Sequence, residues 1–162
     1  MAVIYVGCAL SQASEVFKDR VAEFKRSLSE NHEVLEFVLA KDVSDEFVFL
    51  NDAGCVERCD IFLAITDLAS QGLGGEILLA LSKFRKPVLC VYHDWDTRSR
   101  FIHGLTAWYS DLITFEQYRD LSDVARTILP EFLRKNAWRF SGKTLSKLPV
   151  SDSAITELPT EK

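Results

Sequence analysis

The sequence predicts an α/β protein: a flavodoxin/Rossmann-like three-layer sandwich on a five-stranded parallel sheet in the order 2-1-3-4-5. Three observations carry this expectation. Short apolar runs alternate with stretches of helical periodicity from residue 2 to residue 133. The runs at 61–65 and 87–92 are almost continuously apolar, as strands covered on both faces are. Glycines follow two of the runs, at Gly7 and at Gly72, Gly74 and Gly75, where such sheets open toward ligands.

Taken in order, residues 2–6 form a β-rich strand closed by Gly7. Phe17, Val21, Phe24 and Leu28 recur at helical spacing, with Ser14 as a cap. Residues 34–39 read as the second strand. Phe47, Leu50, Val56 and Cys59 mark a second helix, weakened by Gly54. The third strand is expected at 60–65, the third helix at 75–84, the fourth strand at 87–92 and the fifth at 112–115. A last helix covers 121–133. Between strands four and five, residues 93–109 carry Trp95, Phe101 and Trp108 without a period, which suits a lid or a subunit contact. One domain spans 1–140. Residues 141–162 are rich in Ser, Thr, Pro and Lys, and are expected to be a flexible tail that adds little to the core.

At 162 residues and 48% apolar content, the chain can bury one real core. The net charge of −5 weighs against a nucleic acid polymer as partner, because phosphate backbones need a basic face. No apolar run is long enough to span a bilayer, and no charged segment precedes a hydrophobic one at the N-terminus. A cytoplasmic protein without a membrane partner is expected. Cys55 and Cys59 are four apart, with no second pair and no histidine cluster, so Cys8, Cys55, Cys59 and Cys90 read as thiols and not as a metal site. No metal and no cofactor are expected. Cys8 stands apart because it follows Gly7 at a strand end.

The chemistry concentrates in Ile61-Phe-Leu-Ala-Ile-Thr66-Asp-Leu-Ala-Ser70-Gln-Gly72-Leu-Gly74-Gly75-Glu76. Read locally, it is a buried strand, a glycine-rich loop, and a helix with Glu76 in its first turn. The Ser70 hydroxyl and the N–H groups of residues 72–75 would then face an anion. The helix dipole would keep Glu76 ionised at neutral pH, as a carboxylate nucleophile requires, though a simple helix-end acid gains from the same dipole. Asp52 precedes Asp60 by eight residues. That is about 12 Å of helix, enough to return Asp52 to the carboxyl edge of the sheet across from Glu76. Paired carboxylates in different environments divide the work of nucleophile and proton donor, for example at an N-glycosidic bond. Asp67, Asp94 and Asp96 compete with Asp52 for the second role.

These residues resemble the nucleoside 2-deoxyribosyltransferase-like family, particularly its 2′-deoxynucleoside 5′-monophosphate N-hydrolase branch. The resemblance covers residues 4 to about 132. It is carried by Asp52…Glu57-Arg-Cys-Asp60-Ile-Phe-Leu-Ala, by Ser70-Gln-Gly-Leu-Gly-Gly-Glu76, and by Lys86-Pro-Val-Leu-Cys90. It implies that Glu76 is the nucleophile of a glycosyl-enzyme intermediate and that Asp52 orients or protonates the reacting centre. It also implies that Ser70 binds a 5′-phosphate, that Ser99 reaches a phosphate across a subunit interface, and that the protein is at least a homodimer. The substrate wall would include Gly7, Cys8, Gly72 and Gly74. One segment departs from the family. Where the branch reads Gly-Ser-Ile-Arg-Gly-Gly after strand one, this chain reads Gly7-Cys8-Ala9-Leu10-Ser11-Gln12, without the bidentate phosphate contact of an arginine. An aromatic residue near the strand end is either shifted to Tyr5 or replaced by Ile4.

The expected substrate is a small nucleoside or nucleotide, cleaved by water in a hydrolase or exchanged with a second base in a transferase. A catalytically inactive nucleotide-binding or sensing module is the reading from a different class. Hydrolysis of a dinucleotide such as NAD ranks third.

Overall fold

The computed structural model describes residues 1–10, 13–36, 43–94 and 99–140. Five parallel strands form one sheet in the order β2-β1-β3-β4-β5, as the sequence predicts. They are β1 Val3–Cys8, β2 Glu33–Leu35, β3 Ile61–Ile65, β4 Val88–Tyr92 and β5 Ile113–Gln117. Parallel neighbours require crossovers. These are α1 Glu15–Ser29, α2 Asp45–Arg58, α3 Gln71–Ser82, and the short pair α4 Arg100–Gly104 and α5 Thr106–Tyr109. After β5 come α6 Leu121–Asp123, a π-helical turn Val124–Ile128, and α7 Leu129–Phe140.

Side chains alternate across the strands and feed two cores. Tyr5, Phe62, Ala64, Val88 and Cys90 face α2, α3 and α4, meeting Val56, Ile77, Leu81 and Ile102. Ile4, Val6, Ile61, Leu63, Leu89 and Val91 face α1, α6 and α7, meeting Val21, Phe24, Leu121 and Leu129. Every residue of β3 and β4 is buried, which explains why these runs are apolar at both parities. Asp60 is part of this frame. Its Oδ2 accepts from Val3 N at 2.9 Å and its own N–H donates to Val3 O at 2.7 Å, pinning the start of β1 to β3.

Several boundaries move. β1 runs on to Cys8, so Gly7 lies inside a strand and not beyond it. A Cβ at Gly7 would come within 2.6 Å of Phe62 Cε2 and 3.0 Å of Leu73 Cδ1, so this glycine is set by the Phe62 ring lying against the backbone. β2 ends at Leu35, and residues 37–39 of the expected strand lie outside the described residues. Phe47 and Leu50 sit on the exposed side of α2, whose buried residues are Cys55 and Val56. Part of the irregular segment 93–109 is helical, as α4 and α5, with Phe101 and Trp108 exposed and Trp95 outside the described residues. The last helical stretch continues to Phe140.

The largest correction concerns α3. It begins at Gln71, four residues before the expected Gly75, so Gly72, Gly74 and Gly75 are helical. Three glycines within four positions have poor helix propensity. Ser70 offsets them as N-cap, its Oγ accepting from Leu73 N at 3.2 Å, and burial of Leu73, Ile77, Ala80 and Leu81 does the rest.

Candidate active site

Because α3 starts early, Glu76 lies in its second turn, on the flank turned toward β1 and α2. Tyr5 Oη donates to Glu76 Oε2 at 3.2 Å. Tyr5 itself is fully buried, its ring 5.0 Å from that of Phe62. Asp52, half-buried on α2, receives a bond from Asn51 Nδ2 at 3.2 Å and projects its charge onto both Glu76 and Tyr5.

The electrostatics weaken the sequence expectation that Glu76 is firmly ionised at neutral pH. Burial pushes its carboxyl up to about 7, the Asp52 charge adds to the rise, and the Tyr5 hydrogen bond opposes it in part. A helix dipole acts mainly within the first turn, and Glu76 is beyond it. The carboxylate is therefore poised near neutrality and not held firmly ionised. Burial also raises the Tyr5 phenol, as do Glu76 and Asp52, which keeps Tyr5 a neutral donor.

Other expected residues divide between the flanks of α3. Gly72 is exposed beside the carboxylate: a Cβ there would lie 3.9 Å from Glu76 Oε1 and 3.8 Å from Ser70 Oγ. Gly7 shares the strand face of Tyr5, two residues on. Cys8, half-buried on the opposite face, has its thiol pushed up to about 11 by burial. Lys25 opposes that rise, whereas Glu76 and Glu36 add to it, and Lys25 Nζ is paired with Glu36 Oε2 at 2.7 Å.

Across the helix, Ser70, Gly74 and Ser99 line a cavity of about 690 Å³ with Ile77, Phe101 and Phe115, whereas Glu76 and Asp52 do not border it. A Cβ at Gly74 would stand 3.5 Å from Ile102 Cδ1 on α4. Ser99 caps α4, its Oγ accepting from Ile102 N at 3.3 Å. The structure thus brings Asp52, Gly72 and Tyr5 to Glu76. It sets Ser70 at the tip of α3, and leaves Gly74 and Ser99 on the far flank.

Among the other acids considered, Asp67 is engaged by His93 N and the Tyr118 hydroxyl, Asp94 is exposed just beyond β4, and Asp96 lies outside the described residues. The role of Tyr5 escaped the sequence. Its signal was a tyrosine in an otherwise apolar strand, whose hydroxyl needs a partner when buried. Among the described residues, no three His, Cys, Asp or Glu side chains group as metal ligands. Nor, among them, is any helix long and apolar enough to cross a membrane.

The chain shares its fold with a CMP N-glycosidase. That protein, Clostridium botulinum CMP N-glycosidase, BcmB, matches 80% of this chain and 98% of its own with a TM-score of 0.62. The two are 19% identical in sequence, so the likeness is one of fold. No protein-family model and no curated protein sequence matches the chain.

Proposed function

We propose that the protein is an N-glycosidase that cleaves the base–sugar bond of a nucleoside 5′-monophosphate through a glycosyl-enzyme intermediate on Glu76. The observation that carries this reading is the half-buried Glu76 carboxylate, poised near pH 7 between the Tyr5 hydroxyl and the Asp52 charge. A carboxyl tuned to the working pH beside a neutral donor and a second acid is what acid–base and nucleophilic chemistry selects. The fold likeness to a CMP N-glycosidase supports the same class of reaction.

In this reading ionised Glu76 attacks C1′, and the C1′–N bond breaks with its electron pair leaving on the base. Asp52 orients the sugar and passes a proton taken up from solvent water to the departing nitrogen. Tyr5 steadies the carboxylate, and Gly72 leaves open the side from which the sugar approaches. Water then attacks C1′, releases Glu76 and gives the sugar phosphate. Gly7 and Cys8 wall the strand-one side, and Ser70 faces the 5′ end. Within one chain Ser99 lies on the flank away from Glu76. Its contact with substrate is therefore made in a homodimer, to the site of the partner. The described cysteines are free, in keeping with a reducing cytoplasm.

The test is chromatographic release of free base from each nucleoside and each 5′-monophosphate, with and without an acceptor base, by wild type and Glu76→Ala. Release from monophosphates that is lost in the variant is the expected result. Exchange that needs an acceptor base moves the protein to the transferases. No product from any compound leaves a binding module.

A further inference from the structure

We infer that Asp67 is a positioning residue that holds the loop leading to Ser70, and through it sets the affinity for the 5′-phosphate. This rests on the N-glycosidase reading above. Asp67 leaves β3 one residue after Thr66. Its Oδ1 accepts from His93 N at 2.6 Å, and its Oδ2 accepts from the Tyr118 hydroxyl. His93 is the first residue beyond β4, and its carbonyl accepts from Gln117 Nε2 of β5 at 3.0 Å. Tyr118 is the first residue beyond β5, is buried, donates its N–H to Tyr92 O at 3.0 Å, and meets the His93 ring edge-on at 5.8 Å. Thr66 Oγ1 adds a bond to Val91 O at 3.2 Å. One carboxylate therefore joins the ends of β3, β4 and β5.

The chain leaving β3 reaches Ser70 three residues after Asp67. Ser70 and Thr66 line one cavity, so both ends of this loop border it. The reacting groups are independent of this junction. Glu76 lies on the other flank of α3, with Tyr5 on β1 and Asp52 on α2. Hydrogen bonds to an ionised acceptor are roughly twice as strong as neutral ones, so Asp67 holds the loop leading to Ser70 more firmly than an uncharged residue would. Burial and Asp67 itself raise the Tyr118 phenol, which keeps it a donor to the carboxylate.

The experiment uses the full chain and four proteins: wild type, Asp67→Ala, Asp67→Asn and Tyr118→Phe. Steady-state kinetics with cytidine 5′-monophosphate are paired with calorimetric titration of that nucleotide and of cytidine. Asp67→Ala is expected to raise KM and Kd for the monophosphate about tenfold, with kcat held and cytidine binding unmoved. Asp67→Asn accepts from His93 N and donates to the Tyr118 oxygen, and it restores most of the affinity. A fall in kcat at constant KM overturns the inference. So does equal weakening of nucleotide and nucleoside, or an Asn variant as weak as the Ala variant. Should Asp67→Ala fail to fold, Tyr118→Phe decides: an unchanged KM and Kd there also overturns it. A wild type that binds the monophosphate without cleaving it refutes the N-glycosidase reading alone, and the Kd series still settles the role of Asp67. A wild type that does not bind it overturns both.

Discussion

On the flank of α3 that faces β1 and α2, a carboxylate is half-buried against a tyrosine and a second acid. On the flank that faces α4 and β5, the same helix borders a cavity walled by Ile77, Phe101, Ile102 and Phe115, with serine hydroxyls at Ser70 and Ser99. One side offers charge under strain from burial, the other offers shape. The difference teaches that a short apolar helix can serve two tasks when its polar residues are confined to one flank and its tip. The variants below ask whether the chemistry stays on the Glu76 flank.

Glu76→Gln carries the largest effect. Loss of the nucleophile is expected to cost at least about a thousandfold in kcat. The same variant is expected to be more stable above neutrality. The native carboxyl is pushed up to about 7, above its ordinary value of 4.5, so the folded state binds more protons than the unfolded state between those values. Stability is thus fully present below about pH 4.5 and falls as pH rises toward 7, by up to about 3 kcal/mol. Urea midpoints at pH 5 and pH 8 measure this: the wild type should lose stability between them, and Glu76→Gln should lose much less. Equal losses would mean that the carboxylate is not buried as described.

Asp52→Asn comes next, with kcat expected to fall about a hundredfold. It also removes the charge that helps hold Glu76 up, so the acid limb of kcat/KM against pH should move below 7. An unmoved limb would separate the two acids. Tyr5→Phe should move that limb the other way, because the Tyr5 bond opposes the rise. Activity at pH 7 should then fall several-fold while activity at pH 9 recovers.

How much of this was legible follows from the range of each interaction. The strand order came from patterns within single segments: apolar runs at both parities for β3 and β4, and helical spacing between them. Helix rise along α2 puts Asp52 at the sheet edge across from Glu76. The start of α3 was misread because local propensity treats Gly72, Gly74 and Gly75 as loop formers. Burial of Leu73 and Ile77 against the sheet outweighs that preference and has no local signature. The Tyr5–Glu76 bond links residues 71 apart, and the Tyr118–Asp67 bond links residues 51 apart. The rise of the Glu76 carboxyl to about 7 escapes the sequence for the same reason. A helix expected to start at Gly75 puts Glu76 in its first turn, under the dipole, whereas the neighbours that set the carboxyl come from β1 and α2.

The smallest expected effect separates the flanks most finely. Replacing a helical glycine by alanine stabilises by up to about 1 kcal/mol where the new methyl finds room. At Gly75 a Cβ meets nothing within 4 Å, whereas at Gly72 it stands 3.9 Å from Glu76 Oε1. Both Gly72→Ala and Gly75→Ala should therefore raise the urea midpoint. Gly72→Ala alone should lower kcat/KM, by several-fold, because its methyl occupies the open approach to the carboxylate. If the two variants lose activity alike, the Gly72 side is not where substrate reaches Glu76. If neither loses any, the approach is wide enough that the sugar enters from the α2 side, over Asp52.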